Sequence, residues 1–256
     1  MKMDKNCDLE LLENVKKIVS EIGSDLTLRR EHQNQKSSFH AELERELKSS
    51  LDTLFEERIL KQLLPFGFPV LSEETGYVQN KDSTGKYFIV DPLDGTFNFI
   101  RGLGPATVSV GFWKHDQPIF GVIYNLIDRK LYWGGKDFGA YCEGKAIHVS
   151  SNNNKMESSL CTGIPSRFDF NDPVNQAIFW EKIKSFAKIR MFGCASVSIL
   201  RVAEGAAECY WENSIMLWDV AAALAILEGA KGQFKIMKKS KEYELNVSAD
   251  NGFLVI

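Results

Sequence analysis

Carboxylates set beside a hydroxyl can gather a hard divalent cation and aim a water molecule, and one short run of this chain supplies that set. Asp91-Pro92-Leu93-Asp94-Gly95-Thr96 offers two side-chain carboxylates, main-chain carbonyls and a hydroxyl. Donors that are all oxygen suit Mg²⁺ better than zinc or copper. The four residues before them, Tyr87 to Val90, are aromatic or β-branched and read as a buried strand. Pro92 keeps Asp91 extended, and Gly95 permits a sharp turn. The donors therefore converge where a strand ends, a common place for ligands in open α/β sheets. Taken alone, Asp91 and Asp94 would read as residues that merely shape a turn. Further acids lie on either side: Glu73 closes a short strand upstream, and Asp219 begins a helix downstream. Asp219 alone would read as a helix N-cap.

The elements that must carry these residues follow from periodicity. Leu9, Leu12, Val15, Ile18, Val19 and Ile22 predict a helix over 8–31, with Asp8 as its cap. Residues 32–40 read as a polar loop. A second helix is predicted from about Ala41 to Leu64, with Leu43, Leu47, Leu51, Leu54, Phe55, Ile59 and Leu63 on its apolar face. Lys48, Ser49, Asp52 and Glu56 occupy the other face, by default a solvated one. Pro65 to Pro69 breaks this helix, Val70-Leu71 forms a short strand, and 77–86 reads as a surface loop.

From Ala106 to Ser150 apolar alternation interrupted by turns predicts an antiparallel meander. The Asn-rich run at 152–154 marks a boundary between an N-terminal subdomain, 1–150, and a C-terminal α/β subdomain, 151–256. Beyond it come a strand near Ser158 to Gly163, a helix near Pro173 to Ala187 and a strand at 189–192. Gly193-Cys194-Ala195-Ser196 then leads into a helix, and a strand at 208–211 ends at Glu212. An alanine-rich helix opens at Trp218-Asp219 and closes at Gly229, read as a C′ glycine. Strands at 233–237 and about 252–256 end the chain. This is a layered α/β or α+β body with two sheets.

At 256 residues the chain can bury a large core. A net charge of -3 gives no global basic field for nucleic acid or an anionic membrane. Five cysteines without CxxC spacing fit free thiols in a reducing compartment, and the four histidines lie too far apart for a metal motif. No run approaches the ~20 apolar residues that a membrane helix needs, and no signal peptide is visible. The expectation is a cytoplasmic protein with neither a membrane nor a nucleic-acid partner.

The order Glu73-Glu74-Thr75-Gly76, Asp91-Pro92-Leu93-Asp94-Gly95-Thr96-Phe97-Asn98-Phe99 and Trp218-Asp219-Val220-Ala221-Ala222 resembles the inositol monophosphatase family. That family belongs to a superfamily of Mg²⁺-dependent, Li⁺-sensitive phosphatases that includes fructose-1,6-bisphosphatases. The resemblance runs from about residue 8 to 254. It implies a single domain built as a layered α-β-α-β-α sandwich, and two or three Mg²⁺ ions. Glu73, Asp91 and the Leu93 carbonyl would hold the first ion, and Asp91, Asp94 and Asp219 the second, with Glu73 helping a weaker third. Thr96, paired with Asp52, would activate the attacking water, with Glu73 joining them in catalysis. The N–H groups of Gly95 and Thr96 would cradle phosphate at a helix start. Glu212 matches the acid that grips substrate hydroxyls, Gly193-Cys194-Ala195 lines the pocket, and Asp219 also faces the substrate. A homodimer and inhibition by Li⁺ are implied as well.

Some positions depart from the family pattern. Glu46-Leu47-Lys48-Ser49-Ser50-Leu51-Asp52 stands where a Pro-Val-Thr-x-x-Asp type run is usual, and Cys194 replaces a Ser or Thr. The chain ends at Ile256, without the terminal helix of many relatives. Phe97-Asn98-Phe99 and Glu212 favour a small polyol phosphate, inositol monophosphate above all. The alternatives are a 3′(2′),5′-bisphosphate nucleotide and fructose 1,6-bisphosphate. A second phosphate would call for a basic pocket, for which Arg101 and Arg167 are the candidates. A catalytically silent metal-binding homologue would be expected to lack Thr96 or one of the acids, and all are present.

Overall fold

The computed structural model describes residues 2–32, 40–43, 46–48, 50–166 and 168–254. Arg167, Ser49, most of the polar stretch at 32–40 and the final two residues lie outside the described residues.

Helix α1 spans Lys2–His32. Leu12, Val15, Val19, Ile22 and Leu26 recur on one face and are fully buried. Asp8 is no cap: it lies within the helix, buried, and its carboxylate pairs with Lys86 Nζ at 2.7 Å. Two short strands follow, β1 (His40–Leu43) and β2 (Glu46–Lys48), paired antiparallel. The predicted helix from Ala41 therefore begins only at Ser50, as α2 (Ser50–Leu63). Strand pairing overrides the helical preference of this Glu- and Leu-rich run. Leu51, Phe55, Ile59 and Leu63 form the buried stripe of α2. Its other stripe is not solvated, since Asp52 and Glu56 are 2% and 1% exposed.

Strands β3 (Val70–Ser72), β4 (Gly76–Val78) and β5 (Lys86–Asp94) come next, followed by the short helix α3 (Thr96–Arg101). β4 occupies the start of what read as a surface loop, pairing antiparallel with β3. The meander is β6 (Thr107–Lys114), β7 (Gln117–Asn125), β8 (Lys130–Gly135), β9 (Gly139–Cys142) and β10 (Lys145–Ala146). These strands make one eight-stranded sheet in the order β10-β9-β8-β7-β6-β5-β3-β4, antiparallel except where β3 runs parallel to β5.

The second half contributes β11 (Ser159–Thr162), α4 (Pro173–Lys184), β12 (Lys188–Arg190), α5 (Ala195–Ala203), β13 (Cys209–Met216) and α6 (Leu217–Gly229). It closes with β14 (Gln233–Lys238) and β15 (Glu244–Asp250), so the final strand lies before 252–256. The second sheet runs β12-β11-β13-β15-β14, with β11 parallel to both of its neighbours.

Hydrophobic cores fix the layers. Apolar faces of α1 and α2 cover one side of the large sheet around Val15, Phe55, Phe88 and Phe112. Helices α5 and α6 fill the space between the two sheets. Helix α4 covers the outer face of the smaller sheet, where Phe179 meets Trp211 and Leu160. The result is the α-β-α-β-α sandwich that the resemblance implied. Val220 to Leu227 of α6 are buried all round, as suits a central helix. Gly229 is no C′ residue. It ends the helix where a Cβ would lie 2.3 Å from the Gly139 carbonyl oxygen, so its role is close packing against the sheet. Among the described residues no helix is long and apolar enough to cross a membrane.

Candidate active site

The parallel pairs β3/β5 and β11/β13 end near one another, and between them lies a cavity of about 310 Å³. Strand ends of parallel pairs leave main-chain groups free to meet a ligand. Glu73 follows β3, and Asp91, Leu93 and Asp94 form the last turn of β5. Gly95 and Thr96 begin α3, Gly193 to Ala195 lead into α5, Glu212 sits on β13 and Asp219 in the first turn of α6. All of these residues line the cavity. Asp52 does not; it stands behind Thr96, with its Oδ1 3.2 Å from the Thr96 hydroxyl.

The strand-to-helix corner has a local cause. Asp91 Oδ1 accepts the Leu93 N–H at 2.9 Å, an Asx-type turn that bends the chain after Pro92. Gly95 has φ of +83°, and a Cβ there would lie 2.8 Å from the Pro105 carbonyl, so only glycine fits. Thr96 then turns its hydroxyl back to the Leu93 carbonyl, 2.8 Å away. The buried Asn98 amide reaches the carbonyls of Phe192 at 2.7 Å and Pro105 at 3.0 Å. That bridge fastens the motif to the segment carrying Gly193.

Asp219 is not the N-cap of α6. It lies at the third helical position, where Oδ2 accepts the Met216 N–H at 3.1 Å. Ser196 Oγ donates to the Asp219 carbonyl at 3.1 Å, locking the starts of α5 and α6 together. Asp94 Oδ2 accepts from Cys194 Sγ at 3.0 Å and from the Ser196 N–H at 2.8 Å.

The site is strongly acidic. Burial raises the Asp91 carboxyl well above the usual range, and the charges of Glu73, Asp94 and Asp219 push the same way. Burial also raises Asp94, with the donors from Cys194 and Ser196 pulling it back. The Cys194 thiol is itself held well above its ordinary value, by burial and then by Asp94. Burial pushes Glu212 up to about 8, opposed by the Tyr210 hydroxyl, which donates to Glu212 Oε2 at 3.1 Å.

Burial and crowded charge at these acids mark a candidate functional site. Among the described residues no three His, Cys, Asp or Glu side chains stand gathered to hold an ion by themselves. The donor chemistry nonetheless fits Mg²⁺, being entirely oxygen. Asp91 Oδ2 is buried without a hydrogen-bond partner, as an oxygen reserved for a ligand would be.

Several contributors escaped sequence reasoning. Glu56 read as solvated and is buried, accepting the Glu74 N–H from the turn that follows Glu73. Tyr210 supports Glu212 from two residues upstream, and the two-residue period of a strand could have revealed it. Gly163 touches Glu212: a Cβ there would meet Glu212 Oε2 at 2.5 Å. Ser214, on the cavity wall, has φ of +62°, a conformation costly for a serine, and no sequence signal marks it. Arg101 stacks over the Phe97 ring, its guanidinium carbon 5.9 Å from the centroid, and Phe97 lies on the rim.

Comparison with known proteins points one way. A sequence model of the inositol monophosphatase family matches residues 5–252. An Aquifex aeolicus protein named fructose-1,6-bisphosphatase/inositol-1-monophosphatase is 36% identical over 206 residues, covering 79% of this chain and 77% of its own length. An inositol-1-monophosphatase of Caulobacter vibrioides is 32% identical, over 73% of each chain. The solved structure of extragenic suppressor protein suhB from Bartonella henselae superposes with a TM-score of 0.82 at 25% identity, over 95% of both chains. An inositol monophosphatase from Anabaena gives 0.80 at 25% identity, over 96% of this chain and 92% of its own.

Proposed function

The chain belongs to the inositol monophosphatase family of phosphoric monoester hydrolases, and from that membership we propose that it hydrolyses inositol monophosphate to inositol and phosphate with Mg²⁺. The observation that carries this reading is the Thr96 hydroxyl, 3.2 Å from Asp52 and 2.8 Å from the Leu93 carbonyl, at the edge of a cavity walled by Glu73, Asp91, Asp94 and Asp219.

Glu73, Asp91 and the Leu93 carbonyl would hold one Mg²⁺, and Asp91, Asp94 and Asp219 a second, with Glu73 lending itself to a weaker third. Bound there, the ions offset the charge of the ester and lower the pKa of water. In this reading Thr96 accepts a hydrogen bond from the water that attacks phosphorus, and leans its own hydrogen on Asp52. As the new oxygen–phosphorus bond forms, the water's proton passes through this pair, and the bond to the leaving alkoxide breaks. The alkoxide takes a proton from solvent. The N–H groups of Gly95 and Thr96 orient the phosphate. Glu212, held by Tyr210, recognises hydroxyls of the polyol across the Gly193-Cys194-Ala195 wall. A carboxyl is suited to either role in a hydrogen bond with a hydroxyl, according to its protonation.

A second substrate, fructose 1,6-bisphosphate, draws support from the name of the Aquifex relative, and Arg101, stacked over the rim residue Phe97, is the candidate cation for a second phosphate. A cytoplasmic homodimer inhibited by Li⁺ completes the proposal. The test is phosphate release from inositol monophosphate, fructose 1,6-bisphosphate and 3′-phosphoadenosine 5′-phosphate, with Mg²⁺ and with a chelator. Fastest turnover of inositol monophosphate, lost on chelation, is expected. Turnover that persists in the chelator would defeat the metal-dependent reading, and a preference for either bisphosphate would replace the substrate.

A further inference from the structure

Helix α2 carries two buried carboxylates four residues apart, a spacing that puts both on one side of a helix. The first, Asp52, reaches Thr96. The second, Glu56, takes no part in the reaction described above, yet it is 1% exposed. Its Oε1 accepts the N–H groups of Glu74 at 3.1 Å and Thr75 at 3.0 Å, and its Oε2 accepts the Thr75 hydroxyl at 2.5 Å. All three donors come from the single turn that follows Glu73. On its other side Glu73 donates its N–H to the Val90 carbonyl at 3.3 Å. The main chain at Glu73 is thus held between β5 and α2.

The turn joins two short strands at the edge of the sheet. The strands flanking it, β3 and β4, are three residues each, and β4 ends the sheet. A carboxylate taken out of water is costly unless hydrogen bonds compensate it, and main-chain N–H donors compensate it well. Here three bonds do so, and their joint effect is to set the direction in which Glu73 leaves the backbone toward Asp91.

We propose that Glu56 is the positioning residue for Glu73, setting the Mg²⁺ affinity of the site through the 73–75 turn. The inference rests on the reading of Glu73 as a metal ligand. Residues that orient a ligand from behind typically change metal affinity by about 10- to 100-fold when removed.

The experiment is calorimetric titration of Mg²⁺ into metal-free full-length protein, with a thermal melt of each variant. Glu56→Ala is expected to weaken Mg²⁺ binding by about tenfold or more. Glu56→Gln keeps an acceptor for both N–H groups and can exchange donor and acceptor with Thr75, so it should stay close to wild type. Thr75→Val deletes only the hydroxyl and should give a smaller loss in the same direction, which serves where Glu56→Ala does not fold. Ile59→Ala, fully buried farther along α2, should lower Tm and leave Mg²⁺ affinity unchanged. Wild-type affinity in both Glu56→Ala and Thr75→Val, or an equal loss in Ile59→Ala, would overturn the proposal. Glu73→Gln separates the two layers of the argument. If it binds Mg²⁺ as tightly as wild type, the ligand role of Glu73 fails, and Glu56's role with it. If it binds weakly while Glu56→Ala does not, only the positioning role fails.

Discussion

Thr96 has one hydroxyl hydrogen and two acceptors in reach, the Leu93 carbonyl at 2.8 Å and Asp52 at 3.2 Å. In the proposed reaction the hydroxyl is idle while its hydrogen rests on Leu93; once it swings to Asp52, an oxygen lone pair would receive the attacking water. Thr96→Val should therefore lower kcat by about 100-fold or more while changing KM little, as loss of a proton-handling group does. Steady-state kinetics at saturating Mg²⁺ checks this, and an unchanged kcat would remove Thr96 from the mechanism. Glu212 makes a different prediction. Its pKa rises from 4.5 unfolded to about 8 in the folded, metal-free protein. Below 4.5 both states carry the proton and nothing is lost; between 4.5 and about 8 the unfolded chain releases it first, so stability falls as pH rises. Glu212→Gln should flatten the metal-free stability curve across that window, measured by urea unfolding at several pH values. A slope unchanged from wild type would show that Glu212 is not held protonated.

At the scale of elements, α1 is anchored by a pair that periodicity did not suggest. Asp8 and Lys86 are both buried, 2.7 Å apart, and join the first helix to the start of β5. Removing one member of a buried pair strands the other charge, at a cost of about 3–5 kcal/mol. Lys86→Met is expected to lose stability in that range by chemical denaturation, and Asp8→Asn/Lys86→Met to regain part of it; a single variant as stable as wild type would deny the pair its role. The same helix shows what was legible in sequence. Its apolar stripe was plain, because 3.6-residue periodicity is local, whereas the fate of Asp8 depended on a lysine 78 positions away. Asp52 and Glu56 illustrate this further. Opposite an apolar stripe, acids read as solvated, and only the arrival of α3 and of the 73–75 turn makes that face interior. The Asp91–Thr96 corner was readable for the opposite reason, since strand, Asx turn and glycine are all set within a few residues. The β1–β2 hairpin was not, because its pairing replaces a helical preference that the sequence does carry.

On the scale of the whole molecule, the cavity lies where two sheets meet around α5 and α6, so its acids come from segments more than a hundred residues apart. Packing the sheets buries Asp91, which raises its carboxyl most, and brings Glu73, Asp94 and Asp219 near enough to push the same way. The fold stores that repulsion unless cations relieve it. A ligand that binds only the folded state adds about 2.7 kcal/mol at a hundred times its Kd. Mg²⁺ should accordingly raise the Tm of metal-free protein in a concentration-dependent way, more at pH 8 than at pH 5, where protons partly relieve the repulsion themselves. A Tm indifferent to Mg²⁺ at both values would contradict the site. The central claim is that these carboxylates act together as a catalytic metal centre, and Asp91, shared by both proposed ions, tests it most directly. Phosphate release from inositol monophosphate at saturating Mg²⁺ should fall by about 100-fold or more in Asp91→Asn, with the protein folded by circular dichroism. Activity equal to wild type would contradict the account.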